Sequence, residues 1–248
     1  MILIKMLKIN FERLFRSKKF YFSVIMIFLL ALLSLWPEIS ASGYSTSIYY
    51  LINSRNGIGA FFVATSIVIT LPFGLSHWEN LRNNYVNNIE VRVGSGVYCW
   101  AYTITTAISA FVVVVLGYAL CFGILAVKLP MITAEEIESL RLLLSDSGLN
   151  IYEKIIYEGR PVLYFLAVFS TEALGYAFMA VFTLMLSAKI ENVFVLLSAP
   201  IMLYYGSILF GNIIDFPEIY YWYFIMSHGG SWARKFTNII SFLVCIIV

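Results

Sequence analysis

The chain has 248 residues, of which 61% are apolar and 12% are charged. Ordinary soluble domains carry about 25% charged residues, so this composition excludes that class and predicts an integral membrane protein. The formal net charge is only +2, and beyond the first twenty residues no basic cluster indicates binding to nucleic acid. We expect a single all-α transmembrane domain over residues 1–248, with membrane lipid as a partner.

The first 36 residues join a basic amphipathic segment to an apolar block, FYFSVIMIFLLALLSLW. The basic residues are Lys5, Lys8, Arg13, Arg16, Lys18 and Lys19. Because basic flanks near a first span stay inside, we predict an amphipathic helix over 1–19, a span over about 20–36 that ends at Pro37, and a cytoplasmic N-terminus. The alternative is a cleaved signal peptide, but the apolar block is longer than the usual 15 residues or fewer.

Later apolar runs approach the ~20 residues that a helix needs to cross the hydrocarbon core. They predict spans over about 58–75, 97–127, 161–187 and 193–210. Pro72 and Pro200 predict bends in the second and fifth spans.

The last part of the chain is less regular. Residues 213–227 are rich in aromatic side chains and are interrupted by Asp215, Pro217 and Glu218, which favours a re-entrant element. Residues 237–248 are apolar but too few to cross a bilayer. We expect them to be part of a sixth span that continues beyond the sequence shown.

Two polar segments separate the predicted spans. With the N-terminus inside, residues 76–96 are cytoplasmic and form either a plain loop or a short helix that docks on a cytoplasmic partner. Residues 128–160 are outside, and their acidic side chains outnumber the basic ones. That outer segment is either a solvated cap with helical character at 134–144 or a substrate gate.

Neither an ATP site nor a metal site is expected within this chain. The motif G-x-x-x-x-G-K-[ST], whose backbone cradles phosphates, is absent from the sequence, so ATP hydrolysis by that route requires a partner. Cys99, Cys121 and Cys245 all lie in apolar runs, which is typical of reduced, buried thiols. We therefore predict no disulfide, no metal and no cofactor bound by the chain.

An intramembrane enzyme is the weaker alternative to a transport role. Phe73 and His77 match part of the motif of CAAX-protease-like membrane proteases, and Glu135 and Glu136 match its paired glutamates. The order is wrong, because the glutamates follow the histidine and lie in a polar segment. His228 adds no second motif, so the candidate catalytic groups are dispersed.

Glu172 lies in the middle of the fourth predicted span. A carboxyl group at that depth is costly and usually faces a bundle interior, a polar cavity or a partner. On one hypothesis it belongs to a translocation surface or a proton-linked switch. On the other it makes a structural hydrogen bond between helices, together with Ser170 and Thr171.

The order of these elements resembles that of the ABC-2 permease family, the membrane subunits of type 2 ATP-binding cassette exporters. The resemblance covers the basic helix at 3–19, the first two spans, a cytoplasmic segment with an early Glu79 and a later Arg92, a long third span, an outer excursion and an aromatic re-entrant element. The chain departs from the family in lacking a lysine near the start of the third span, where Trp100 and Ala101 stand.

The resemblance implies a permease without enzymatic activity of its own, in the plasma membrane of a bacterium. A second permease subunit and two cassette ATPase subunits would complete the exporter, with ATP and Mg on the ATPases. The substrate would be hydrophobic or amphipathic, such as a peptide, a bacteriocin, a drug or a lipid-linked molecule.

Residues 76–96 would be the coupling segment. The implied ATPase contacts are Trp78, Glu79, Leu81, Arg82, Tyr85 and Arg92. A non-transporting membrane protein that binds a partner or confers immunity is the alternative.

Overall fold

The computed structural model describes residues 2–42, 46–54, 59–146 and 151–213, and all the regular secondary structure in them is α-helical. The helices are α1 (Ile2–Arg16), α2 (Lys18–Ser42), α3 (Ile48–Ser54), α4 (Gly59–Val68), α5 (Ser76–Arg82), α6 (Tyr85–Val93), α7 (Ser95–Leu125), α8 (Ala134–Asp146), α9 (Ile151–Tyr157), α10 (Pro161–Leu186) and α11 (Val193–Ile213). The predicted re-entrant element, apart from its first residue, and the partial sixth span lie outside the described residues.

Four of the described helices are long and apolar enough to cross a membrane, so the chain is a membrane protein. These stretches are Lys18–Ala41, Ser95–Leu125, Pro161–Leu186 and Val193–Phe210. They match the first, third, fourth and fifth predicted spans. The helix over Ile2–Arg16 covers most of the predicted amphipathic segment at 1–19.

Two predicted boundaries are wrong, and both involve proline. Pro37 lies inside α2, which continues to Ser42 instead of ending there. Membrane helices tolerate an internal proline when the freed carbonyl finds other partners. The predicted second span over 58–75 is a helix only to Val68, and turns follow it. Pro72 explains this break, because it disfavours the helical conformation of the residue before it and lacks an N–H.

The described chain divides into two compact units. The first unit comprises residues 1–28, 62–117 and 173–203. Its fully buried side chains include Leu14, Ile27, Tyr98, Met179 and Leu196. At Gly117 a Cβ atom would lie 2.5 Å from Cγ2 of Ile27, so glycine allows α2 and α7 to approach closely here.

The second unit comprises the described residues within 29–61, 118–172 and 204–213. The N-terminus of α3 is attached by backbone hydrogen bonds, because the N–H groups of Ile48 and Tyr49 donate to the carbonyls of Pro130 and Met131 at 3.0 and 3.1 Å. The ring of Phe169 stacks on Phe122 and also contacts Tyr118. The backbone hydrogen bonds attach the start of the segment predicted at 128–160 to α3, and the ring contacts join α7 to α10.

Candidate coupling surface

The predicted cytoplasmic segment at 76–96 contains two short helices, α5 and α6. Two residues with positive φ stand at the ends of α6: Asn84 has φ 57° and Gly94 has φ 86°. Asparagine and glycine are the residues that adopt this left-handed conformation most readily, so the sequence sets both breaks. The helical structure favours the docking-helix hypothesis over the plain-loop hypothesis for this segment.

Asn80 connects α5 to α1 and α7. Its side chain is 3% exposed, and its Nδ2 donates to the hydroxyl of Tyr102 at 2.5 Å and to that of Tyr98 at 3.4 Å. Its Oδ1 accepts a hydrogen bond from Nη1 of Arg13 at 3.1 Å. Nearby, Nδ1 of His77 lies 2.9 Å from the same Tyr98 hydroxyl. One buried amide therefore bridges two other helices of the first unit.

Glu79, on the neighbouring position of α5, receives two basic side chains. Lys19 Nζ, at the start of α2, donates a hydrogen bond to Glu79 Oε1. Arg13 Nη2, on α1, lies 3.9 Å from Oε2. Because these groups are partly exposed, each ion pair contributes at most about 1 kcal/mol to stability. Their main effect is to fix the position of α5 relative to α1 and the start of α2.

Trp78 connects α5 to the turn between α10 and α11. Its indole Nε1 donates to the backbone carbonyl of Glu191 at 2.6 Å. The guanidinium of Arg82 lies 5.4 Å from the centre of the Trp78 ring, within the range of a cation–π contact. An open cavity of about 650 Å³ lies beside this contact and is lined by Trp78, Leu81, Arg82 and residues 187–191.

Other side chains of this segment are exposed. Tyr85 is 58% exposed and Val91 is 88% exposed, whereas Val86 packs inward at 7%. Arg82 and Arg92 are also exposed. The exposed apolar side chains of Leu81, Tyr85 and Val91 offer contact area for a partner protein. We call the exposed Leu81, Arg82, Tyr85, Val91 and Arg92 the docking face.

The structure divides the predicted contact residues into two groups. Trp78 and Glu79 contact other parts of this chain, while Leu81, Arg82, Tyr85 and Arg92 are exposed. Sequence reasoning missed the residues that attach α5, namely Arg13, Lys19, Asn80, Tyr98 and Tyr102. The spacing could have indicated part of this contact. Tyr98 and Tyr102 lie one turn apart on α7, and His77 and Asn80 lie one turn apart on α5, so each pair shares a helix face.

Glu172, the predicted intramembrane polar residue, is 2% exposed within α10. Burial keeps the carboxyl group away from lipid, as its cost in a bilayer requires. Both hypotheses for Glu172, a translocation surface and a structural hydrogen bond, predict this burial.

The outer polar segment is organised around Glu136. The backbone N–H of Thr133 donates to Glu136 Oε2 at 2.7 Å, and the N–H of Glu136 donates to the Thr133 hydroxyl at 3.4 Å, which is a capping box. Ser47 donates to Glu136 Oε1 at 2.5 Å. Burial, together with the carboxylates of Glu153 and Glu136, raises the pKa of Tyr49 to about 12. These features fit a cap better than a catalytic pair of glutamates.

Metal ligands do not converge in the part of the chain that the structure describes. No group of three or more His, Cys, Asp or Glu residues is placed there to hold an ion. Cys99 is exposed and Cys121 is buried, and neither forms a disulfide among the described residues. No known protein family, curated protein or solved structure matches the chain. The candidate site thus rests on the geometry of α5 and α6 and on the helices that they contact.

Proposed function

We propose that the chain is the membrane-spanning permease subunit of an ABC-2 exporter, driven by a separate cassette ATPase. The observation that carries this proposal is that the segment formed by α5 and α6 combines attached and exposed side chains. Some of its side chains are hydrogen-bonded to α1, α2, α7 and the turn at 187–191. Others are exposed and form the docking face. A displacement of the docking face is therefore transmitted to the ends of membrane helices, as a coupling element requires.

The docking face also indicates the chemistry of its partner. Leu81, Tyr85 and Val91 supply apolar contact area, and Arg82 and Arg92 supply positive charge. Tyrosine and arginine are enriched among the residues that dominate binding energy in interfaces. We expect the ATPase to present an apolar groove with an acidic rim to this face.

In the proposed assembly, two ATPase subunits bind ATP and Mg, and a second permease of the same or a homologous sequence completes the translocation path. The N-terminus and the docking face lie in the cytoplasm, and the membrane is the bacterial plasma membrane. ATP binding closes the ATPases, α5 and α1 move together, and a cavity between the permeases opens outward. The permease contributes shape and polarity, and its substrate is hydrophobic or amphipathic.

Co-purification tests this proposal. The full chain is extracted from its native membrane in a mild detergent, and the recovered proteins are identified by mass spectrometry. We expect a cassette ATPase with the wild-type chain and an about tenfold lower recovery with Tyr85→Asp, because a buried, unpaired carboxylate opposes docking. Tyr157→Asp is the matched control, since Tyr157 is also exposed but lies on α9, in the other compact unit.

Recovery of the intact chain without any ATPase would contradict the proposal. It would favour the alternative, a non-transporting membrane protein that binds a partner or confers immunity. If both variants lost the ATPase equally, the ATPase would have to bind a surface other than the docking face.

A further inference from the structure

A small polar cavity lies where α1 meets α2, beside the start of α5. Its volume is about 220 Å³. At about 30 Å³ per molecule, that space would hold about seven waters, so a phosphate group fits. The polar residues that line it are Arg13, Ser17, Lys19, Ser76 and Glu79.

The charge of this lining is unbalanced. Arg13 and Lys19 carry two positive charges and Glu79 carries one negative charge, which leaves a net charge of one positive. An arginine offers five N–H donors and a lysine three. Among the described residues, the contacts to Asn80 and Glu79 use only part of that capacity. The cavity therefore combines excess positive charge with donors for an anion.

Ser76 supplies an independent observation. Its side chain is 5% exposed, and its buried hydroxyl has no hydrogen-bond partner among the described residues. A buried hydroxyl without a partner is unfavourable, and such groups in folded proteins call for a bound water, ion or ligand. Ser76 lines the same cavity as Arg13 and Lys19.

The cavity also lies close to the expected level of the lipid headgroups. The first candidate span begins at Lys18, so Lys19 lies where the helix enters the headgroup region. Around this corner Phe15, Tyr21 and Phe22 are about half exposed. Aromatic side chains at the end of a span contact both headgroups and the first part of acyl chains.

We propose that this cavity binds the phosphate of an anionic membrane phospholipid of the phosphatidylglycerol class. Arg13 and Lys19 bind its oxygens through charge-assisted hydrogen bonds, and the Ser76 hydroxyl donates another. The excess positive charge selects an anionic headgroup over a zwitterionic one. The acyl chains lie along the exposed aromatic side chains of the corner.

Bound phosphate has a direct consequence for α5. Glu79 and the phosphate use the same two cations, so occupancy of the cavity weakens the hydrogen bond from Lys19 to Glu79. An anionic lipid thereby changes how firmly α5 is attached to α1 and α2. This lipid site goes beyond the proposed transport function and requires no ATPase.

Thermal unfolding of the purified full chain in neutral detergent tests the site. The chain is titrated with phosphatidylglycerol, with phosphatidylcholine and with inorganic phosphate. We expect saturable stabilisation by phosphatidylglycerol alone. Combining Arg13→Gln with Lys19→Gln should raise its half-saturating concentration at least about tenfold, because losing even one of the two charge-assisted hydrogen bonds has about that effect. Combining Lys5→Gln with Lys8→Gln is the matched control, because it removes equal charge from α1 outside the cavity lining.

Ser76→Ala is a second variant that leaves the charge unchanged. Without lipid it should unfold at the same or a higher temperature, because it removes an unpartnered hydroxyl. With phosphatidylglycerol it should show several-fold weaker binding. Unchanged binding in Ser76→Ala, or equal weakening in the two charge variants, would overturn the assignment of this cavity. An equal effect of inorganic phosphate would replace the lipid by a free anion. Each result leaves the co-purification test of the exporter unaffected.

Discussion

The two polar segments of the chain, one built from α5 and α6 and the other from α8 and α9, are attached in different ways. Each lies between apolar stretches and contains two short helices. The first is held by residues about 20 to more than 100 positions away in sequence, namely the side chains of Arg13 and Tyr102 and the backbone carbonyl of Glu191. The second begins with a local capping box between Thr133 and Glu136, joined by Ser47.

On the proposed function, this difference separates a segment that moves with membrane helices from one that does not. A displacement of α5 would act on α1, α2 and α7 through directed hydrogen bonds. The capping box of α8 closes within its own first turn, and its distant contact is with Ser47, just before the short helix α3. The two segments have similar polarity in the sequence but are attached to the rest of the chain in different ways. Substitutions in each segment should therefore have different consequences.

The largest effect is expected from Asn80→Ala. The guanidinium of Arg13 and the hydroxyl of Tyr102 lose a buried partner, so the free energy of unfolding should fall by about 2–3 kcal/mol. Denaturant unfolding in detergent measures this change. Asn88→Ala, at an exposed position of α6, is the control and should change stability by less than about 0.5 kcal/mol. A similar small change in Asn80→Ala would contradict a central role for this amide.

A smaller and more local effect is expected from Glu136→Ala. Loss of the capping box and of the bond from Ser47 should cost about 1–2 kcal/mol. Hydrogen exchange should accelerate in α8 and stay unchanged in α5. Glu138→Ala is the matched control, because Glu138 is largely exposed and forms only an i, i+3 pair with Arg141. Faster exchange in α5 as well would break the distinction between the two segments.

Glu79→Gln should change function more than stability. Its ion pairs are partly exposed, so the free energy of unfolding should fall by less than about 1 kcal/mol. Transport-coupled ATP hydrolysis by the reconstituted exporter should nevertheless decrease several-fold, because α5 is no longer held by Lys19. Arg82→Ala should decrease it as well, by weakening the docking face. If the variants insert normally into the membrane and coupling is unchanged, α5 does not transmit motion from the ATPase to the membrane helices.

The last effect is confined to alkaline pH and concerns Tyr49. An unfolded tyrosine titrates near pH 10, whereas the pKa of Tyr49 is raised to about 12 in the folded chain. Between these values the unfolded state has lost a proton that the folded state keeps, so stability falls as the pH rises from 10 to 12. Tyr49→Phe should flatten that decrease in circular-dichroism melts. Tyr50→Phe, at an exposed neighbour, should leave it in place, and a retained slope in Tyr49→Phe would contradict the assignment.

The membrane helices were the part best predicted from sequence. The fourth and fifth spans are matched almost residue by residue, because Pro161 starts one and the polar turn at 188–192 separates them. The second predicted span is helical only to Val68. The bend predicted at Pro72 lies within the turns that follow, but hydropathy does not show where the helix ends. The helix end predicted at Pro37 was also wrong, but there the helix is longer than predicted. Proline usually ends a helix, whereas membrane helices tolerate it inside.

The candidate site could be predicted only in part. The resemblance identified residues of α5 and α6, both exposed ones such as Tyr85 and attached ones such as Glu79. The burial of Asn80 could not be predicted, since an asparagine in such a segment resembles any solvated residue. The spacing of Tyr98 and Tyr102 marks one face of α7, but only tertiary packing brings that face and Arg13 to Asn80.

The central claim is that the docking face contacts a cassette ATPase, and site-specific photo-cross-linking tests it most directly. A photoreactive residue replaces Val91 on the docking face or, as the matched control, Val127, a similarly exposed valine beyond α7. In intact cells we predict an adduct between the Val91 position and an ATPase that carries a phosphate-binding loop, and none from Val127. Adducts from Val127 alone, or only lipid adducts from both positions, would contradict the account.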